Sequence, residues 1–121
     1  MKLYTIQLGK WRKAVAMGVP LLDVSLRSGN HMFAPDAQLL HDYKAPPGID
    51  TVEYTLRFKE LMRERLPYMH DEWLTQINKP TLAIACYCGP DDFCHRKILI
   101  GLFEGVCRQQ GVEFEYCGEI R

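Results

Sequence analysis

The stretch from Thr81 to Gly111 constrains this chain more than any other. Thr81-Leu-Ala-Ile-Ala-Cys86 is a short, nearly continuous apolar run, the pattern of a strand buried on both faces. Gly89-Pro90-Asp91-Asp92 then breaks it, as turn residues do. Beyond the break, Ile98, Leu99, Leu102, Phe103 and Val106 fall at helical spacing. The spacing predicts a helix from about Cys94 to Gln110, capped by Asp91 or Asp92 and ended by Gly111. A buried strand that runs through a tight loop into an amphipathic helix is half of a parallel βαβ unit.

The rest of the chain fits that unit. Leu3–Leu8 alternates and is rich in β-formers, so it reads as a first strand. Lys10–Met17 is helical and stops at Gly18. Val19–Leu26 reads as a second buried strand. From Arg27 to Asp50 periodicity is weak, apart from a short helix around Asp36–Tyr43. So long a connection in a small domain usually serves function. Asp50 caps a helix to about Leu66, a second helix covers His70–Ile77, and Val112–Tyr116 alternates as a last strand. The expected fold is therefore one α/β domain over residues 1–121: a small, Rossmann-like, mostly parallel sheet of about four strands with flanking helices.

Composition excludes several classes. The formal net charge is zero, so no general basic field draws the chain onto nucleic acid, although a local patch could bind it. No apolar run reaches the length of a membrane span. The opening residues run straight into strand-like sequence rather than a signal peptide, so a cytoplasmic location is expected. The five cysteines are an odd number, and three fall between positions 86 and 94, which argues against a secreted disulfide scaffold. Composition does not fix the oligomeric state.

In open parallel sheets, ligands bind beyond the carboxyl ends of the strands. Those ends carry Asp23, Arg27 and Ser28 on one strand and Cys86 and Cys88 on another, with Cys94-His95-Arg96 at the facing helix start. Cys94 beside His95 suits a reactive thiol, because a helix N-terminus and nearby cations favour thiolate. Arg96, with Arg27, suits an anion clamp. Cys94, His95 and Asp23 are thus the candidate catalytic residues. Arg96, Arg27, Ser28, Cys86 and Cys88 are the candidate ligand-binding residues. The cysteine spacing lacks the paired knuckles of a structural zinc site, so no metal and no cofactor is expected. Trp11, Trp73 and Tyr68 could stack on a base, His31 and His41 could reach the site, and Tyr43, Lys44 and Tyr54 could line a pocket. The Lys59, Arg63, Arg65 run reads as a solvated helix face.

A strand ending in Cys, a loop and then Cys-His-Arg opening a helix resembles the domain-of-unknown-function 488 family. Leu3-Tyr4-Thr5-Ile6 and Leu22-Asp23-Val24-Ser25-Leu26-Arg27-Ser28 are similar to that family's first and second strands. Cys88 stands where the family commonly has Glu, and Ser25 where it often has Arg. The resemblance implies an outline like that of Rossmann-like nucleotide-handling domains. Two functions are carried forward. One is a site acting on a nucleotide, phosphorylated small molecule or nucleic-acid end. The other is a non-catalytic interaction protein whose Cys/His cluster is structural, with or without zinc.

Overall fold

The computed structural model describes all of residues 1–121. The elements follow in the order β1 (Lys2–Gln7), α1 (Trp11–Met17), β2 (Leu21–Asp23), α2 (Ala37–Lys44), α3 (Thr51–Ile77), β3 (Thr81–Cys86), α4 (His95–Gln110) and β4 (Glu115–Ile120). Short 3-10 turns occupy Leu8–Lys10 and His31–Phe33. The four strands make one sheet in the order β2-β3-β1-β4, and every pairing is parallel. Parallel neighbours require crossovers, and helices supply all three. This is the small α/β, Rossmann-like architecture expected. No helix is long and apolar enough to cross a membrane.

Alternation along the strands divides the core. Leu3, Leu22, Leu82 and Ile84 face α2, α3 and α4, and bury Phe33, Phe58, Met69, Trp73, Leu99 and Phe103. Ile6, Ala83, Ala85 and Ile120 face the other way and pack on Ala14 of α1. Asp23 stands beside Ala85 in the β2–β3 register, which brings the Asp23 loop next to Cys86 at one edge of the sheet.

Three elements differ from the sequence reading. The two helices expected over 51–66 and 70–77 are one helix, α3, with Pro67 inside it. Pro67 is exposed, while Tyr54, Phe58, Met62, Met69, Trp73 and Ile77 bury one continuous stripe. That burial outweighs the roughly 3 kcal/mol that an interior proline costs. Pro67→Ala is therefore expected to stabilise the chain by about 1–3 kcal/mol, read as a higher urea midpoint; an unchanged or lower midpoint refutes this. The second strand shrinks to Leu21–Asp23, because the backbone turns at once into a loop closed on the Asp23 carboxylate. The last strand lies later than expected, because Val112 and Phe114 pack against the core and pairing with β1 starts at Glu115.

Arg65 also departs from the reading of a solvated face. Its Nη1 points at the carbonyls of His31, Met32 and Ala34, at 2.9, 3.0 and 2.6 Å. It pins the long connection to α3, and the Asp36 carboxylate then caps α2 by accepting from Leu39 N–H at 2.8 Å.

Candidate functional site

The loop after β3 folds back so that the sulfurs of Cys86, Cys88 and Cys94 lie within 4.8 Å of one another. Cys86 points from the strand end into the core. Cys94 is the N-cap of α4, and its side chain makes no capping bond. Asp92, expected as the cap, instead closes the loop by accepting from Gly89 N–H at 2.9 Å. Asp91 pairs with Arg121 at the surface. The Cys86 and Cys94 sulfurs stand 2.6 Å apart, both buried, while Cys88 is only half-buried.

Arg96 lies beneath this cluster and not in the cleft where an anion clamp would have to be. Its side chain is 0% exposed. Nη1 donates to Cys86 Sγ at 2.8 Å and to the Cys88 carbonyl at 3.0 Å; Nη2 donates to the Gly89 carbonyl at 2.9 Å and to Glu119 Oε2 at 3.2 Å. The guanidinium fork thus holds the loop to α4, and its counter-ion is Glu119 on β4 rather than Asp23 or Asp92. Arg96 Nε and Glu119 Oε1 are buried without a partner. A pair this incompletely satisfied is a poor device for stability alone, and its positive charge sits directly against sulfur.

The contacts among the three thiols shift their ionisation most, and the Arg96 charge adds to them. The facing thiols of Cys86 and Cys94 pull Cys88 well below the ordinary cysteine range, opposed by burial and aided by the charge of Arg96. Cys94 moves the other way: its sulfur neighbours and burial hold it protonated. Cys86 is also raised, mainly by Cys88. Of the three, Cys88 is the one pulled towards thiolate, and it is the half-buried one; Cys94, expected as the reactive thiol from its helix position, is buried and held towards its protonated form.

Burial holds the His95 imidazole below its ordinary value, so it is neutral. Its Nε2 lies 2.6 Å from the Val24 carbonyl and must donate to it. Nδ1 is then the acceptor, 3.5 Å from Cys94 Sγ. His95 is thus oriented to exchange a proton with Cys94.

A cavity of about 310 Å³ opens over these groups. Cys86, Cys88, Cys94 and His95 form its floor, with Ser25 and Arg27 at one side. The opposite wall is aromatic. The rings of Tyr43 and Tyr54 are 4.9 Å apart, and Phe93 lies 5.9 and 5.5 Å from them. Arg27 and Lys44 stand at the wall and form no ion pair. Tyr54 ionises only well above its ordinary range, through burial and then the adjacent sulfurs, so it is a neutral phenol.

Two further expected site residues lie outside the wall. Asp23 accepts from Ser25 N–H and Ser25 Oγ at 2.9 and 2.7 Å and from Ser28 Oγ at 2.6 Å. Tyr87 in turn donates to Ser28 Oγ at 2.8 Å, tying the β2 loop to the cysteine loop. Asp23 and Ser28 thus build the site's frame and do not face the cavity. Gly29 is part of that frame, since a Cβ there would stand 2.2 Å from the Asp23 carbonyl oxygen. His31, His41, Trp11, Trp73 and Tyr68 do not line the cavity. Phe93 and Tyr87 do, and sequence reasoning missed both. Each directly adjoins a cysteine of the cluster, which was the available signal.

The three sulfurs are also the one grouping of metal-ligand atoms in the chain. Their spacing along the sequence argued against zinc, but the fold brings them together regardless. His95 supplies no fourth ligand through Nε2, which is bonded to Val24.

The family model for the active DUF488-N3 subclade matches residues 22–105, more than two thirds of the chain. The chain belongs to the DUF488 family. No curated protein and no solved structure matches it. The matched segment of this DUF488 domain runs from β2 into α4. It contains all three clustered cysteines, His95, Arg96 and the aromatic wall, but not β1 or Glu119.

Proposed function

We propose that this DUF488 domain is a thiolate enzyme acting on a nucleotide or other phosphorylated small molecule, or a nucleic-acid end, held at the carboxyl edge of the sheet. The observation that carries the reading is the half-buried Cys88 sulfur, placed at the floor of a cavity with an aromatic wall and two unpaired cations. A ring packs between Tyr43, Tyr54 and Phe93, and an anionic group meets Arg27 and Lys44. Cys88 attacks an electrophilic phosphorus or carbon of the ligand and breaks its bond to a leaving oxygen or nitrogen, and that leaving group takes its proton from Cys94, whose sulfur lies 3.5 Å from His95 Nδ1. The description of the matched subclade as active accords with a working site. The alternative, a purely structural cluster, accords less well with an open cavity directly over the sulfurs.

Alkylation tests this. With limiting iodoacetamide, Cys88 is expected to react at least about ten times faster than the other cysteines. A nucleoside monophosphate mixture is expected to slow that labelling. Arg27→Ala and Lys44→Ala should each weaken the protection by roughly tenfold, as loss of a charged hydrogen bond does. Preferential labelling of Cys117, or no protection by nucleotides or inorganic phosphate at any concentration, overturns the reading.

A further inference from the structure

We infer that the ligand of this edge is the end of a single nucleic-acid strand rather than a free nucleotide: its last base enters the cavity, and its backbone runs on over the far flank of the cysteine loop. This rests on the cavity being the ligand site, and it adds a path leading out of it. The formal net charge is zero, yet the charge is unevenly placed. The carboxylate side chains at the strand ends are already engaged. Asp23 accepts from Ser25 and Ser28, Asp91 pairs with Arg121, Asp92 accepts from Gly89 N–H, and Glu119 pairs with Arg96. Several cations at the same edge have no such partner. Arg27 and Lys44 at the cavity, and Lys10 and Lys97 across the loop, form no ion pair. The edge is thus positive on a neutral chain, which suits a phosphate backbone.

The strand order sets these groups in a row. Across the sheet, β2 is followed by Arg27, β3 by the cysteine loop, β1 by Lys10 and Trp11, and β4 by Arg121. Neighbouring strands lie about 4.8 Å apart, so the row extends over roughly 14 Å. Tyr87, Cys88, Phe93 and Cys94 turn one flank of the loop to the cavity, and Asp91 is not part of that wall. Arg121 holds the Asp91 carboxyl below the usual carboxylate range; slight desolvation opposes this, and Lys97 and Lys10 add to it. Those three cations therefore gather on the loop's other flank. Trp11 follows directly on Lys10. It is 42% exposed, with the Arg12 guanidinium 4.8 Å from its ring centre. An open ring set among cations is a platform on which a base stacks. The cavity, of about 310 Å³, also demands an unpaired base. A base inside a duplex is stacked and paired, and reaches such a pocket only when flipped out.

The test is fluorescence anisotropy with a fluorescein-labelled single-stranded oligothymidylate of about ten nucleotides. At low salt it is expected to bind at least about ten times more tightly than thymidine monophosphate. The logarithm of its binding constant should fall against that of salt with a slope of roughly −3, about four phosphates at ~0.7 each. Lys10→Ala and Lys97→Ala should each reduce that slope by about 0.7. Trp11→Ala should weaken binding by roughly tenfold, and Trp11→Phe should keep most of it. Lys59→Ala, in the groove between α3 and α4, should bind like the parent. These side chains are all at least partly exposed, so the variants should fold. Equal binding of a duplex of the same length, binding of phosphatidylserine vesicles in place of the oligonucleotide, or an unchanged slope in both lysine variants overturns the inference. Labelling of Cys88 separates it from the function proposed above. If thymidine monophosphate protects Cys88 and the oligonucleotide protects it no better, the path is wrong and the site stands. If neither protects Cys88, both fall.

Discussion

Arg96→Ala is expected to lose about 3–5 kcal/mol of folding stability. The change strips Glu119 of its only charged partner at a site where its side chain is 9% exposed. It also removes the donors to the Cys88 and Gly89 carbonyls and to Cys86 Sγ. Arg96→Lys keeps the charge but cannot reproduce the fork, so it should fall between the parent and the alanine variant. Adding Glu119→Gln to Arg96→Ala removes the stranded carboxylate, and it should recover part of the loss. Urea unfolding with the slope checked for two-state behaviour gives all four numbers. A loss below about 1 kcal/mol for Arg96→Ala, or no recovery in the double variant, means that the pair is not the keystone described here. In a folded Arg96→Lys chain, Cys88 alkylation should also slow, because one point charge covers the sulfurs less well than the guanidinium.

Phe33→Ala is expected to cost about 3–5 kcal/mol as well, by the cavity it leaves. Phe33 is fully buried, 4.9 Å from Trp73 edge-on and 6.1 Å from Phe103. It is the main apolar anchor of the connection between β2 and α2. That same connection supplies Pro35 to the cavity wall and leads directly into Leu40, Tyr43 and Lys44. The substitution should therefore do more than lower the melting temperature. Limited proteolysis should cut first between Arg27 and Asp36, and nucleotide protection of Cys88 should fall even where the chain is still folded. A chain that melts like the parent, or is cut elsewhere first, removes Phe33 from this role.

Much of this arrangement was legible in the sequence because it depends on local pattern. The apolar run at Thr81–Cys86, the Asp50 cap and the stop at Gly111 are one-dimensional signals, and all lie where expected. The convergence of the cysteine loop and the β2 end follows from the parallel topology. What was not legible depends on partners far along the chain. Arg65 looks like any exposed helix cation until the His31–Ala34 carbonyls are placed beside it. Glu119 follows a glycine near the chain's last residues, and nothing nearby marks it as the counter-ion of Arg96. Tyr54 and Phe58 share one helical stripe, yet only Tyr54 reaches the cavity. The break expected between Leu66 and His70 is absent because the burial of the whole stripe, which holds α3 together across Pro67, is not visible in local sequence.

The sheet order also sets the timing of assembly. β1 is an interior strand whose neighbours both come late: Lys2 pairs with Thr81 on one side and Glu115 on the other. Such distant pairings raise contact order and slow folding. α3 can form as soon as its own residues are available, whereas β1 stays without a partner until β3 has been made. Arg96 acquires its counter-ion only when β4, the final strand, docks. Until that moment the guanidinium is held by Cys86 Sγ and the Cys88 and Gly89 carbonyls alone, so a chain without β4 keeps the anchor of its cysteine loop but leaves a buried cation with no carboxylate to face.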